Sequence, residues 1–163
     1  MSAIHDHNHS HSHGDSCTPG DVDHHLAIAK MVCDENGERF TKLRAHIFEL
    51  ILRHDGPVKA YDLLDQLKPE QGSPKPPTVY RALDFLSKLG LVHRVEALNA
   101  YVACAHTHSG HVAEFFICET CKSVQERHAS DHMDCAPDGF TVKRSVIEHY
   151  GLCAQCGVES GAV

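Results

Sequence analysis

Two C-x-x-C pairs, Cys118/Cys121 and Cys153/Cys156, constrain this chain more than any other feature. Four thiolates converging on one centre form a closed tetrahedral zinc site with no position left for a substrate. Residues 122–152 separate the pairs, more than a plain zinc ribbon needs, so a folded segment must lie between them with its ends pinned together. Each pair follows an apolar run, Phe115-Phe116-Ile117 or Tyr150-Gly151-Leu152, as expected where strands or turns deliver a zinc knuckle. Two redox dithiols, or four buried cysteines, are the competing readings.

The wider composition favours metal. The chain has 8 Cys and 16 His, the ligand types of zinc and copper. No apolar h-region opens it and no apolar run is long enough to span a membrane, so a reducing, cytoplasmic setting is expected. Net charge is −7, which on its own argues against nucleic acid. The distribution reverses that: residues 39–94 carry ten Lys/Arg against six Asp/Glu, while the rest carries five against sixteen. A basic segment inside an acidic protein is the footprint of a nucleic-acid-binding unit fused to something else.

Organisation follows from periodicity. In residues 1–20, His5, His7, His9, His11 and His13 alternate with small or polar residues and Cys17 follows. This predicts a disordered tail that binds metal weakly. Helical spacing of apolar residues predicts helices over 21–36, 41–54, 58–67 and 78–89, with a Pro-rich loop over 69–77 and Gly90 closing the last helix. After Gly90 the period shortens, predicting strands over 92–96 and 101–104 around a turn near Leu98-Asn99. Helices followed by a hairpin make a winged helix-turn-helix over 21–104. Residues 105–111 read as a hinge linker. Residues 112–163 read as a small α/β unit with strands near 113–118, 123–127 and 140–147 and a short helix near 130–136. The fold class expected is α+β.

The helix over 78–89 has a polar face as well as an apolar stripe. Thr78, Tyr80, Arg81, Asp84 and Lys88 project from it, and Lys75 precedes it. Arg81 near the helix start suits bidentate contact with guanine in the major groove, and Lys75 suits a phosphate. An amphipathic helix with a solvated charged face is the alternative. The run Lys75-Pro76-Pro77-Thr78-Val79-Tyr80-Arg81-Ala82-Leu83-Asp84-Phe85-Leu86 resembles the recognition helix of the Fur family of metal-dependent repressors. Gly90-Leu91-Val92-His93-Arg94-Val95-Glu96, the stretch Tyr61 to Asp65, Val146-Ile147-Glu148 and the C-x-x-C pairs fit as well, most closely its zinc-uptake-regulator branch. The resemblance covers about residues 22–157. It implies that Tyr61, Lys75, Thr78, Tyr80 and Arg81 contact DNA.

A second ligand set is visible. His93 and Cys104 lie on the two hairpin strands, His111 just past the linker, and Glu126 in the second half. N, S, N and O donors can close a tetrahedral zinc site, and the thiolate favours zinc over iron(II) or manganese(II). Taken singly, each has an ordinary reading: a hairpin histidine, a small buried cysteine, a solvated glutamate. The resemblance implies the same four positions as a regulatory zinc site, beside a structural one at Cys118, Cys121, Cys153 and Cys156, hence two Zn2+ per protomer. Ligands from both halves would fix the angle between them. His106, His108, His128, His132 and His149 remain unassigned, because the histidine that the family carries shortly before the second C-x-x-C is Ser145 here.

The resemblance further implies a homodimer on a pseudo-palindromic, A·T-rich operator in double-stranded DNA. Asp65 and Lys68 stand where neighbouring dimers could pair, giving two dimers per operator. The function expected is a zinc-responsive repressor of zinc-uptake genes. An iron-, manganese- or peroxide-responsive regulator of the same family is the nearest alternative, and a zinc-storage or delivery protein the next. A zinc enzyme is disfavoured, since both sites read as closed and no H-E-x-x-H or nucleophile motif occurs.

Overall fold

The computed structural model describes the backbone of residues 22–71, 75–104, 113–128, 136–142 and 145–159, and the side chains of all of these but 68–71 and 128. Expectations for the histidine tail, the 105–111 connection, and the side chains of His106, His108, His111, His128, His132 and Lys68 therefore lie outside the described residues. So does the helix expected near 130–136, apart from Ala136, which is irregular.

Helix α1 (Val22–Glu35) stops where Gly37 takes a φ of +68°, a conformation only glycine adopts cheaply. Helix α2 (Lys42–Arg53) is capped by the Thr41 hydroxyl, which accepts from the Arg44 N–H at 3.4 Å. Helix α3 (Ala60–Gln71) runs further than the sequence predicts, through Pro69 into the expected Pro-rich loop. A proline there lacks one backbone bond and crowds the carbonyl four residues earlier, and the helix ends two residues beyond it. Helix α4 (Pro76–Lys88) begins two residues earlier than expected, with both prolines inside it. Their missing N–H groups fall in the first turn, where no intrahelical partner exists anyway.

Ile47, Phe48 and Ile51 of α2, Leu63 and Leu67 of α3, and Val79, Leu83 and Leu86 of α4 interlock as one buried cluster. A hairpin closes it: β1 (Val92–Val95) and β2 (Ala100–Ala103) pair antiparallel, with His93 opposite Val102. A single 3-10 turn, Glu96–Leu98, and Asn99 at φ +47° join them. Val58, just before α3, exchanges backbone hydrogen bonds of 2.9 and 2.8 Å with Tyr101, stitching the hairpin to the helical body. This is the expected winged helix-turn-helix.

The second sheet has β3 (Ala113–Cys118) at its centre, antiparallel to β4 (Val124–His128) and parallel to β5 (Val146–Gly151). The third strand lies later than the 140–147 expected, and a short helix α5 (Ala154–Glu159), not expected, carries the second cysteine pair's end. One sheet face buries Ala113, Phe115 and Ile117 with Val95 of the hairpin, and Leu98, Val102 and Val124 pack around them. The hairpin therefore belongs to both clusters: Val92 and Tyr101 to the first, Val95 to the second. Among the described residues no helix is long and apolar enough to cross a membrane.

A candidate metal centre and nucleic-acid interface

The two C-x-x-C pairs meet. One turn carries the chain from Cys118, at the end of β3, to Cys121; after it Lys122 takes a φ of +62° and its N–H returns to the Cys118 carbonyl at 3.0 Å. Cys153 lies just before α5, and Cys156 inside it. All four sulfurs fall within 4.8 Å of one another as free thiols. Cys121 Sγ and Cys153 Sγ are 3.8 Å apart. A tetrahedron with sulfur ~2.3 Å from its centre has edges of about 3.8 Å, whereas a disulfide would require ~2.05 Å.

The surroundings also prepare the thiols. The Cys153 N–H points at Cys118 Sγ from 3.4 Å, and this, with the Cys121 N–H, lowers the Cys118 pKa to about 6. The Ser123 hydroxyl, 3.2 Å away, lowers that of Cys121. Cys156 is pushed up to about 12, first by hydrogen bonding to the Cys153 sulfur and then by burial. Without a cation at the centre the cluster cannot ionise fully, because each new thiolate faces the others. That is the electrostatic condition a divalent cation relieves.

Three of the four expected second-site residues also converge. His93 of β1 is buried and points to the second cluster, its ring edge-on to Phe115 at 5.4 Å between centroids. Cys104, just past β2, is held by its N–H on the Leu91 carbonyl at 3.0 Å. Glu126 of β4 stands opposite Phe115 in the sheet. Glu126 Oε1 is 3.4 Å from His93 Nε2 and 3.6 Å from Cys104 Sγ. A tetrahedral centre with N or O at ~2.0–2.2 Å and S at ~2.3 Å has N–O edges of about 3.4 Å and S–O edges of about 3.6 Å. The donors fit such an ion, and the thiolate makes zinc the best match. His111, the fourth expected ligand, lies outside the described residues.

The outer face of α4 is as the sequence predicts. Thr78, Tyr80 and Arg81 are exposed, as are Lys75 before them and Tyr61 on α3, while Val79, Ala82, Leu83, Phe85 and Leu86 are buried. Not every basic residue of the segment is available, however. The Arg44 guanidinium lies 3.3 Å over the Phe85 ring, Arg53 pairs with Glu49 at 2.9 Å, and Arg94 with Glu96 at 3.3 Å. Sequence reasoning missed Glu148 of β5, which accepts the Glu96 N–H at 2.8 Å and ties sheet to hairpin. It also missed His25, buried in α1. Glu148 stands in a stretch that carries the family resemblance but had no role assigned, and no local signal marks His25.

The sequence profile of the ferric uptake regulator family matches residues 35–156. The zinc uptake regulation protein of Escherichia coli (strain K12) is 42% identical over 137 residues, covering 80% of each chain. A solved structure of a zinc uptake regulator complexed with zinc and DNA superposes with a TM-score of 0.72 at 39% identity, over 87% of this chain and 98% of that one. The crystal structure of holo XcZur superposes with a TM-score of 0.69 at 37% identity, over 85% and 99%.

Proposed function

The chain belongs to the ferric uptake regulator family, and on that premise we propose that it is a zinc-responsive, DNA-binding transcriptional repressor of zinc-uptake genes. It is a regulator and not an enzyme. The observation that carries the zinc reading is the triangle of His93 Nε2, Cys104 Sγ and Glu126 Oε1, whose 3.4 and 3.6 Å edges suit a tetrahedral ion.

His93 and Cys104 belong to the hairpin and Glu126 to the second sheet, and His111 completes the set. Held together, these residues fix the hairpin against the sheet and so set the angle at which α4 is presented. Zinc bound there would supply the tie. Cys118, Cys121, Cys153 and Cys156 hold a second, structural ion, giving two per protomer. Its chemistry is closure of the fold, since no position stays open.

The winged-helix unit spans 21–104, a hinge 105–111, and the dimerisation unit the remainder. Tyr61, Lys75, Thr78, Tyr80 and Arg81 face a pseudo-palindromic, A·T-rich operator, with Arg81 reading a base edge and Lys75 a phosphate. The second sheet's outer face, with Phe116 stacked on His149 at 4.7 Å and both bordered by exposed Tyr150 and Leu152, is the surface for a second copy. Two dimers can then share one operator. The protein works in the cytoplasm.

The test is binding to a zinc-uptake promoter fragment at fixed salt across buffered free zinc, for the native protein and Cys104→Ser. Steep zinc dependence, lost in the variant while the fold persists, is expected. Restoration by iron or manganese instead would move the protein to another branch of the family. No specific DNA binding at any metal level would leave zinc storage as the reading.

A further inference from the structure

Between α1, the end of α2, β2 and β4 lies a cavity of about 280 Å³ that nothing above has used. Its wall includes Cys104 and Glu126 but not His93, whose ring packs edge-on to Phe115. The cavity therefore borders the candidate centre on its Cys104 and Glu126 side. Two further histidines line it, His25 from α1 and His54 from the end of α2, with Asp55 beside them. We propose that this cavity is a zinc-loading vestibule, in which His54 and then His25 take up the incoming ion and pass it to Cys104 and Glu126. The inference rests on reading His93, Cys104 and Glu126 as ligands.

Both histidines have the chemistry a transfer site requires. His25 is 6% exposed, yet its Nδ1 makes no hydrogen bond among the described residues. A buried ring nitrogen without a partner is costly and uncommon, and a passing cation would satisfy it. His54 is exposed, and its Nδ1 lies 3.1 Å from the Gly56 carbonyl. A carbonyl can only accept, so this contact selects the tautomer with the proton on Nδ1, which leaves Nε2 as the ligand atom. Metal-binding histidines are commonly fixed in this way.

The site is built for passage rather than storage. The described residues form two sets of three or more donors within 4.8 Å, and neither includes His25 or His54. An ion here keeps most of its water and few protein ligands, so it stays exchangeable. Transfer is ligand exchange without redox change. As the sulfur–metal bond forms, the Cys104 thiol gives its proton to solvent, and the histidines, neutral throughout, are left with a free ring-nitrogen lone pair.

The test uses cobalt(II) as the probe, with the Cys118/Cys121/Cys153/Cys156 set left zinc-filled and the second centre emptied by mild chelation. Mixing with cobalt(II) should raise a thiolate-to-cobalt charge-transfer band that Cys104→Ser abolishes. Loading in His54→Gln, and more so in His25→Leu/His54→Gln, should be several-fold slower. Release into excess chelator should slow by the same factor, with the final spectrum and equilibrium affinity unchanged. Native rates in both variants would overturn the proposal. So would a weakened affinity with an altered final spectrum, since His25 or His54 would then be a ligand of the centre itself. His54→Gln, on the exposed rim, decides the matter if His25→Leu disturbs the fold. A band absent from the native protein, or retained in Cys104→Ser, would instead overturn the regulatory-centre reading.

Discussion

Cys118 and Cys156 illustrate how one ligand set prepares itself unevenly. Cys118 is held at about 6, below its ordinary 9.0, by backbone N–H groups, while Cys156 is pushed up to about 12. In the metal-free fold the two act in opposite senses. Stabilisation from the depressed Cys118 is complete above 9.0 and vanishes as pH falls through about 6. Stabilisation from the raised Cys156 is complete below 9.0 and is lost towards about 12. Zinc uptake at neutral pH finds Cys118 already ionised but must expel the Cys156 proton. Affinity at the four-cysteine centre should therefore climb steadily from pH 6 to pH 9, as chelator competition at several pH values would measure; a flat profile would contradict the assignment. On α4, Arg81 is exposed beside a buried Val79 and Ala82. Arg81→Ala should cost about 1–3 kcal/mol of operator affinity and leave thermal stability unchanged. Residues such as these were legible from type and spacing. His25 and Glu148 were not, because what distinguishes them is a neighbour far away in sequence.

On the sheet, Phe115 stands between two carboxylates in register, Glu126 on β4 and Glu148 on β5. Both reach the hairpin that packs over Phe115. Glu126 meets it at His93 and Cys104, and Glu148 meets it at the Glu96 N–H, 2.8 Å away, while Tyr150 donates its hydroxyl to the other Glu148 oxygen. The hairpin is thus gripped at both sides, by the proposed metal-ligand set and by a hydrogen bond that involves no metal ligand. Glu148→Ala should loosen the second grip by about 1 kcal/mol and raise the free zinc needed for half-maximal DNA binding by roughly fivefold. Glu148→Gln keeps an acceptor oxygen and should restore much of the loss. Equal behaviour of the two variants in a zinc-titrated DNA-binding assay would show that the hydrogen bond is not the cause. The sequence failed at this scale where pairing is non-local. A strand was expected near 140–147, but parallel register with β3 selects 146–151. Helix α5 is only six residues with Gly157 inside it, so apolar periodicity could not reveal it. The four helices of the first cluster carry their own periodicity, and their placement was legible to within a few residues.

At the scale of the whole molecule, two apolar clusters share one hairpin, and the proposed sensing centre lies at that shared element. The apolar contacts of Val95 with Ala113, Phe115 and Ile117 involve no metal ligand. They bring the halves together but are non-directional, whereas the proposed ligation by His93, Cys104 and Glu126 would specify one geometry. A zinc ion that binds that arrangement more tightly than the alternatives shifts the population toward it, and only by that difference in affinity. DNA that selects the same arrangement must act back on the metal. Measured in one buffer, the factor by which zinc tightens operator binding should equal the factor by which operator DNA tightens zinc at the Cys104 centre. Typical couplings of this kind are about 5–150-fold. An unequal pair of factors would mean that a further linked equilibrium, such as dimer formation through the outer face of the second sheet, had been left uncontrolled. Repeating both titrations at a protein concentration well above dimer dissociation separates the cases. Equality restored there assigns the discrepancy to assembly. Inequality that persists would place the zinc response outside the hairpin centre.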